Sequence, residues 1–256
     1  MKLSFEQEHI KQTYQYCLSC EPISTVHPAI ATIQQLSWFT QSLPSLPATL
    51  PDFQPRLGLW YEQLWLKLID CHPDLELIAY NRQIIEQNQT IGAIDLLVAD
   101  HQHRCVRHIE LAVKFYIYFQ LAQKWQWIGP NLKDRFTHKL SRMLTHQLPM
   151  GYHPQIQQLR LRYPNYHFNQ QIILQGRLFQ PCSAPRSPKD GTWLFDSQLN
   201  VSERYLYQIV PRQYWLTPSH AAYQPLTTNI DRAVMVYGQG KQFWLLPDNY
   251  MSTYNG

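Results

Sequence analysis

The chain has 256 residues, 45% of them hydrophobic, and its 22 basic and 18 acidic residues leave a formal net charge of +4. This length and apolar content predict a globular protein with one sizeable core, or one core with a smaller appended region, and exclude a chain too polar to fold. The charge is too small to identify a partner by itself, and no uninterrupted apolar run approaches the roughly 18 residues that span a bilayer.

The cysteine content and the N-terminus both indicate an intracellular protein. The five cysteines are an odd number and show no framework spacing, which argues against a disulfide-stapled secreted protein. Cys17 and Cys20 have the spacing of half a zinc site, but no second such pair follows, so structural cysteines in a helix are favoured. The N-terminus lacks an apolar segment of signal-peptide length. We therefore expect a cytoplasmic protein without a membrane partner.

The N-terminal part is predicted to be helical and then extended. Residues 5–19 and 28–42 each carry apolar side chains at helical spacing, and the second helix begins near Pro28. Four prolines then punctuate residues 43–56, so this stretch is expected to be a linker or an extended arm.

A buried helix is predicted from Leu57 to Ile69, because its apolar residues surround the helix on almost every side. Glu62 lies in the middle of this segment. An ionised glutamate there either has a partner in the interior or occupies an edge position that faces water. Residues 75–85 then have the composition of a core strand.

Two strands joined by a polar turn are predicted next. Ile91 to Ala99 and Val106 to Val113 are apolar and β-branched, and residues 100–104 between them are polar, which indicates a β-hairpin. If the chain reverses at residue 102 or 103, Asp95 lies opposite residue 109 or 110. Side chains alternate between the faces of a strand, so Glu110 and Lys114 share one face.

This register places the carboxylates of Asp95 and Glu110 on one face of the sheet. Like charges opposite each other destabilise a sheet, and an unpaired buried carboxylate costs several kcal/mol. The pair therefore predicts a bound cation or a nearby lysine. The alternative is that Asp95 is solvated and that Glu110 and Lys114 form a half-exposed ion pair, but the neighbouring residues are too apolar for a wholly solvated hairpin.

Residues 115–127 are ambiguous, because their aromatic content favours a strand while their polar tail favours a helix. Gly129 and Pro130 end this run. Asn131 is then a suitable N-cap for a helix from about Leu132 to Leu148.

That helix carries a basic stripe. Four basic side chains recur at three- and four-residue spacing: Arg135, Lys139, Arg142 and His146. The first three, Arg135, Lys139 and Arg142, are predicted to contact phosphate groups. Residues 131–170 hold six lysines or arginines against a single aspartate, a local charge of +5. A concentrated basic segment suits a polyanionic partner, although a solvated basic face is the equally common alternative.

From residue 153 onward the pattern changes to short β-rich runs, at 172–179, 205–210, 233–237 and 243–246. A proline-rich loop at 181–188 interrupts them. This predicts a smaller β-containing C-terminal region.

Gly92-Ala93-Ile94-Asp95 followed by Glu110-Leu111-Ala112-Val113-Lys114 resembles the core signature of the PD-(D/E)XK nuclease superfamily. A closer resemblance is to the bacterial domain-of-unknown-function family 1853, over most of the chain. Its pattern is similar to the ELAVKFY run together with these residues: Gly129-Pro130-Asn131, Asp134-Arg135, Lys139 and His146-Gln147-Leu148. The family itself carries no established activity.

The nuclease resemblance implies roles for four side chains. Asp95 and Glu110 would bind Mg²⁺ or Mn²⁺, Lys114 would orient the attacking water, and Glu62 would be the accessory acid of the first core helix. The sequence departs from the superfamily at one position, because Ala112 occupies the place of the usual lysine. Lys114 lies four residues after Glu110, so the two Cα atoms of a regular strand would be about 13 Å apart unless a bend or bulge shortens the distance.

We therefore expect an α/β protein with a PD-(D/E)XK nuclease-like core, a mixed sheet flanked by helices, at 57–150. An N-terminal helical region with a Pro-rich linker would occupy 1–56, and a β-rich region 151–256. The expected function is Mg²⁺- or Mn²⁺-dependent hydrolysis of phosphodiester bonds in DNA or RNA. The alternatives are a catalytically inactive nuclease-like module that binds nucleic acid or protein, and an adaptor that binds protein through exposed C-terminal aromatic residues.

Overall fold

The structure, a computed structural model, describes residues 4–253 apart from 42, 44, 55, 122, 184–189, 219–222 and 228. Its α-helices are α1 (Phe5–Ser19), α2 (Ser37–Thr40), α3 (Leu57–Asp70), α4 (Phe136–Arg142) and α5 (Pro154–Arg160). Its strands are β1 (Leu75–Glu86), β2 (Gln89–Asp100), β3 (Cys105–Leu121), β4 (Lys124–Ile128), β5 (His167–Pro181), β6 (Gly191–Phe195), β7 (Gln208–Ile209), β8 (Gln224–Pro225), β9 (Val234–Gly238) and β10 (Lys241–Leu246). No helix within these ranges is long and apolar enough to cross a membrane.

The chain folds into two compact units, each assembled from separate stretches of sequence. The first unit comprises Met1–Val113 and Lys139–Gln175, and the second comprises Lys114–His138 and Gly176–Gly256. The strands belong to a large mixed sheet, so the expected α/β class is confirmed at this level. The division of the sequence into regions 1–56, 57–150 and 151–256 stays a prediction.

The helices of the first unit bear out two sequence expectations. Helix α1 begins with a capping box, in which the Ser4 hydroxyl accepts a hydrogen bond from the Gln7 N–H and the Gln7 side chain accepts one from the Ser4 N–H. Helix α3 coincides with the predicted buried helix, and its fully buried side chains include Tyr61 and Leu64. The Tyr61 hydroxyl donates to the side chain of Gln175 on β5, which ties this helix to the sheet.

The strands of the first unit follow the order β1-β2-β3-β5. Gln87 and Asn88, with φ of 48° and 62°, form the tight turn between β1 and β2. Strands β2 and β3 are antiparallel, with Leu96 opposite Ile109 and Asp100 opposite Cys105. The predicted core strand and the predicted hairpin are therefore confirmed, and the chain reverses at residues 102 and 103 as expected.

The helix predicted for residues 28–42 is wrong over its first half. Ile30 forms a parallel β-bridge with Ile172, and helical structure is confined to a 3₁₀ turn at Gln34–Leu36 followed by the four residues of α2. Local apolar spacing favoured a helix, but pairing with a strand about 140 residues away in sequence prevailed. Where the structure describes residues 43–56, it contains no helix or strand, while Pro44 and Pro55 lie outside the described residues.

The helix predicted from Leu132 begins four residues later, at Phe136. Leu132 has a positive φ of 60°, and Arg135 forms an antiparallel bridge with Ile128, so the expected start at Asn131 is wrong. After α4 the chain continues through a π-helical turn, Met143–Gln147, and a 3₁₀ turn, Leu148–Tyr152. The ambiguous aromatic run before it is strand, because β3 continues to Leu121 and pairs with β4.

The second unit contains the predicted C-terminal strands. Strand β6 pairs in parallel with β5 and β10, and β10, β9, β7 and β8 follow in antiparallel order. The expected strand at 205–210 is reduced to β7, because a 3₁₀ turn at Val201–Leu206 precedes it. Residues 184–188 of the proline-rich loop lie outside the described residues.

Candidate functional site

Asp95 on β2 and Glu110 on β3 are cross-strand neighbours in the first unit. The ladder pairs Leu96 with Ile109, so the next position brings Asp95 opposite Glu110 and puts both side chains on one face. The Asp95 N–H donates to Glu110 Oε1 at 3.4 Å, and the Leu111 N–H donates to Asp95 Oδ2 at 2.8 Å. Of the two registers that the sequence allowed, the hairpin has the one that brings Asp95 opposite Glu110.

The two carboxylates differ in their exposure to water. Glu110 has no solvent-exposed surface, and Asp95 is half-buried. Burial, together with the charge of Glu110, raises the pKa of Asp95 from 3.8 to about 7. Burial likewise raises the pKa of Glu110 from 4.5 to about 7. Two like charges on neighbouring strands repel each other, so the pair favours binding of a proton or a cation.

His108 is a member of this cluster that the sequence reasoning missed. Its Nε2 lies 2.8 Å from Glu110 Oε1, and its Nδ1 lies 3.0 Å from the side-chain nitrogen of Gln170. Gln170 can only donate through that nitrogen, so Nδ1 is the acceptor and Nε2–H donates to Glu110. Burial lowers the pKa of His108 to about 4, which keeps the ring neutral.

The sequence could have indicated His108, because side chains two positions apart on a strand lie on the same face and His108 is two positions before Glu110. Gln170 gave no such signal, since it is on β5 and more than fifty residues away along the chain.

Glu62 on α3 is half-buried and belongs to the same electrostatic neighbourhood. The Tyr80 hydroxyl donates to Glu62 Oε2 at 3.1 Å. Burial and then the charge of Asp95 raise the pKa of Glu62. Glu62 therefore does not stand in open water away from the pair, and its role as a metal ligand stays a prediction.

Lys139 and Gln147 form a polar connection to Glu110. The Lys139 ammonium donates to Gln147 Oε1 at 3.0 Å, and the Gln147 side-chain amide donates to Glu110 Oε2 at 2.7 Å. Lys139 is on α4, and Gln147 is the last residue of the π-helical turn. Gln147 belongs to the motif His146-Gln147-Leu148 that resembles the family pattern, but the sequence alone indicated no role for it.

Lys114 lies in the second unit, where its ammonium is 2.6 Å from Asp134 Oδ2. The Tyr116 hydroxyl also donates to that oxygen, at 3.3 Å. The carbonyl of Lys114 packs against Gly176, whose φ of 135° and lack of a Cβ permit the close approach. A catalytic role for Lys114 stays a prediction.

The proposed phosphate contacts do not lie on one helix. Arg142 is exposed in the last turn of α4, together with the half-buried Lys139 one turn earlier. Arg135 precedes the helix and belongs to the second unit. A role of these three side chains in nucleic-acid binding stays a prediction.

The donor set of the pair suits a hard divalent cation. Protein Mg²⁺ sites commonly supply only one or two carboxylates, with water and substrate oxygens completing the shell. Asp95 and Glu110 offer that number of carboxylates, and Glu62 is a third nearby. Within the described residues, no group of three or more His, Cys, Asp or Glu side chains is arranged to hold a metal ion. If the pair holds a metal ion, the protein would therefore supply only two of its ligands.

The fold and this site define a mixed α/β protein with a carboxylate pair on neighbouring antiparallel strands. A family model of the domain of unknown function DUF1853 matches residues 7–241, and the chain belongs to that family. No curated protein matches it significantly, and neither does any solved structure.

Proposed function

We propose that this protein is a Mg²⁺- or Mn²⁺-dependent nuclease of the PD-(D/E)XK type, which hydrolyses phosphodiester bonds in nucleic acid. The observation that carries the proposal is the pair formed by the half-buried Asp95 on β2 and the buried Glu110 on β3. The order α3, β1, β2, β3 supports it, because the superfamily core has a helix followed by three strands. Membership of the family adds no activity by itself.

In this proposal Asp95 and Glu110 would hold the metal ion, with Glu62 as an accessory carboxylate. Such an ion would supply polarisation of the scissile phosphate and a lower pKa of an attacking water. The other contributions come from the chain itself. His108 orients the carboxylate of Glu110 by donating to Oε1, and Gln147 does the same at Oε2. Leu97, which is buried opposite His108 on the same face as the pair, limits screening of these charges by water.

The test combines metal binding with cleavage. Mg²⁺ or Mn²⁺ at saturating concentration should raise the melting temperature, since a ligand at 100 times its Kd stabilises the folded state by about 2.7 kcal/mol. Asp95→Asn and Glu110→Gln should abolish the rise and the cleavage of labelled DNA or RNA while remaining folded. Glu76→Gln, which makes the same chemical change at a surface ion pair, is the control and should behave as wild type. A wild-type protein that neither responds to millimolar metal nor cuts nucleic acid would refute the proposal.

The second candidate is a nuclease-like module that binds nucleic acid without cutting it. The observation that favours it is the ion pair of Lys114 with Asp134, because the expected catalytic lysine is already engaged by a carboxylate. This candidate predicts salt-dependent nucleic-acid binding and no cleavage at any metal concentration.

A further inference from the structure

The carboxylate pair has a cationic neighbour on α4. Lys139 is connected to Glu110 through a single residue, since Gln147 accepts from the Lys139 ammonium at 3.0 Å and donates to Glu110 at 2.7 Å. All three residues belong to the first unit. Lys139 is half-buried, and its partner Gln147 uses Glu110 Oε2, whereas His108 uses Glu110 Oε1.

The local helix geometry explains why residues eight apart in sequence meet. In an α-helix with about 3.6 residues per turn, positions i and i+8 diverge by about 80° around the axis. The turn Met143–Gln147 is π-helical, and its i→i+5 hydrogen bonds take up about one more residue per turn than an α-helix does. The extra residue brings Gln147 back onto the face of Lys139. Such π-helical turns are frequent at functional sites.

The hydrogen bonds through Gln147 separate the Lys139 ammonium from the carboxylate of Glu110 by one amide group. A substrate phosphate held beside a metal ion on Glu110 would therefore come close to this ammonium.

We propose that Lys139, and not Lys114, is the catalytic lysine of this site, and that its ammonium donates hydrogen bonds to the attacking water and a non-bridging oxygen of the scissile phosphate. This rests on the proposed nuclease function. Strand parity favoured Lys114, but a lysine from a neighbouring helix can place its ammonium beside carboxylates without lying on their strand. Preorganised donors aimed at developing negative charge are typically among the largest contributions to catalysis.

The reaction leaves Lys139 protonated throughout. The water oxygen forms a bond to phosphorus, and one phosphorus–oxygen ester bond breaks with its electron pair going to the leaving oxygen. The water releases one proton to solvent, and the leaving oxygen takes one up from solvent. Lys139 supplies charge and orientation, so arginine at this position should retain part of the effect.

The experiment compares Lys139→Met, Lys139→Arg and Lys114→Met in the full chain, with the exposed Lys11→Met on α1 as the matched control. Single-turnover and steady-state cleavage are measured on labelled single- and double-stranded DNA and RNA with Mn²⁺. We expect Lys139→Met to lower kcat by about 100-fold or more with KM changed less than about threefold. The kcat of Lys139→Arg should be at least about tenfold higher than that of Lys139→Met. The loss of kcat in Lys114→Met should be at least about tenfold smaller than in Lys139→Met. Lys11→Met should have the kcat of the wild type.

Two further measurements separate catalysis from a structural effect. In wild type and Lys139→Met, carbon-13 NMR follows the titration of the site carboxyl groups, and calorimetry follows Mn²⁺ binding. We expect the carboxyl titration to move to higher pH in Lys139→Met and Mn²⁺ affinity to stay equal or increase, because a cation that competes with the metal has been removed. If Lys139→Met does not fold, the same measurements are made on Lys139→Gln, which keeps a polar side chain.

Each contrary result has one meaning. An active Lys139→Met with an inactive Lys114→Met overturns the assignment of Lys139 and leaves the nuclease proposal intact. An unchanged carboxyl titration, or loss of Mn²⁺ binding in Lys139→Met, also overturns the assignment, because the lysine would then act on the fold. A wild-type protein that binds Mn²⁺ but cuts none of the substrates overturns the nuclease proposal, and the catalytic role of Lys139 falls with it.

Discussion

The imidazole of His108 and the carboxylate of Glu110 form a hydrogen bond of 2.8 Å, and both side chains are fully buried. The two residues lie two positions apart on β3 and so project from the same face. Gln170 donates to the other ring nitrogen, which leaves the Nε2–H for Glu110. His108 is thus a neutral hydrogen-bond donor that holds the buried carboxyl group of Glu110 in one orientation.

Removing this donor should weaken the site and the fold together. We expect His108→Ala to reduce the free energy of unfolding by about 1–3 kcal/mol, because it leaves an oxygen of Glu110 buried without its donor. Urea denaturation and Mn²⁺ titration measure the two effects. His108→Gln, which can still donate through its amide, should lose less of both. If His108→Ala retained wild-type Mn²⁺ affinity, His108 would have no part in orienting Glu110.

A glycine is required beside His108. A Cβ on Gly151 would clash with His108 Nδ1 and with the side-chain nitrogen of Gln170. We expect Gly151→Ala to destabilise the protein by about 1–3 kcal/mol through forced displacement of these groups. Gly58→Ala is the control, because a Cβ there meets nothing within 4 Å and alanine favours α3 by up to about 1 kcal/mol. Thermal unfolding that ranked the two variants in the opposite order would contradict this reading of the packing.

The carboxylate pair should make stability depend on pH in metal-free buffer. The folded state binds protons more tightly at Asp95 and Glu110, whose pKa values rise from 3.8 and 4.5 to about 7. Their stabilising contribution is therefore full below about pH 4 and is lost as pH rises through about 7. His108 has the opposite effect on stability, because burial lowers its pKa to about 4 and its contribution is lost as pH falls. The quantity to compare is therefore the difference in free energy of unfolding between variant and wild type at each pH.

Asp95→Asn removes one of the two carboxyl groups and the repulsion between them. We expect this variant to lose less stability than wild type between pH 5 and pH 8, and to exceed wild type in melting temperature at pH 8 without metal. Urea denaturation at several pH values provides the measurement, and Glu76→Gln serves as the control. Parallel stability profiles for Asp95→Asn and wild type would show that the pair does not titrate in this range.

Metal binding should displace protons from the pair. Near pH 6.5 the carboxyl groups are partly protonated, and ligation requires the charged form. We expect Mn²⁺ binding to release about one to two protons at pH 6.5 and progressively fewer as pH approaches 8.5. Isothermal titration calorimetry in buffers of different ionisation enthalpy counts these protons. Release that did not vary with pH would exclude the pair as the ligands.

The exposed Arg142 is expected to contact phosphate. Arg142→Ala should weaken nucleic-acid binding equally for all sequences and reduce the slope of log affinity against log salt by about one. Fluorescence anisotropy at several salt concentrations measures both quantities. Arg82→Ala, at an exposed position on β1, is the control. An unchanged slope in Arg142→Ala would remove this arginine from the binding surface.

Local sequence determined the elements whose partners are close in the chain. The reversal at residues 102 and 103 follows from a polar turn between two apolar runs. The sequence left residue 109 or 110 opposite Asp95, and the register of the folded hairpin selects Glu110. The capped helix α1 and the apolar helix α3 follow in the same way from end signals and periodicity. In these cases the interactions that decide the structure lie within a few residues of one another.

Contacts between distant segments could not be predicted from such patterns. Ile30 pairs with Ile172 instead of continuing a helix, and Gln170 reaches His108 from another strand. Strand parity states which face a side chain occupies, but it does not state which side chains of other elements cover that face. The neighbourhood of Lys139 is the clearest case. Its ammonium meets the Glu110 cluster through Gln147 only because a π-helical turn shifts the helix face, and that shift is a property of tertiary packing.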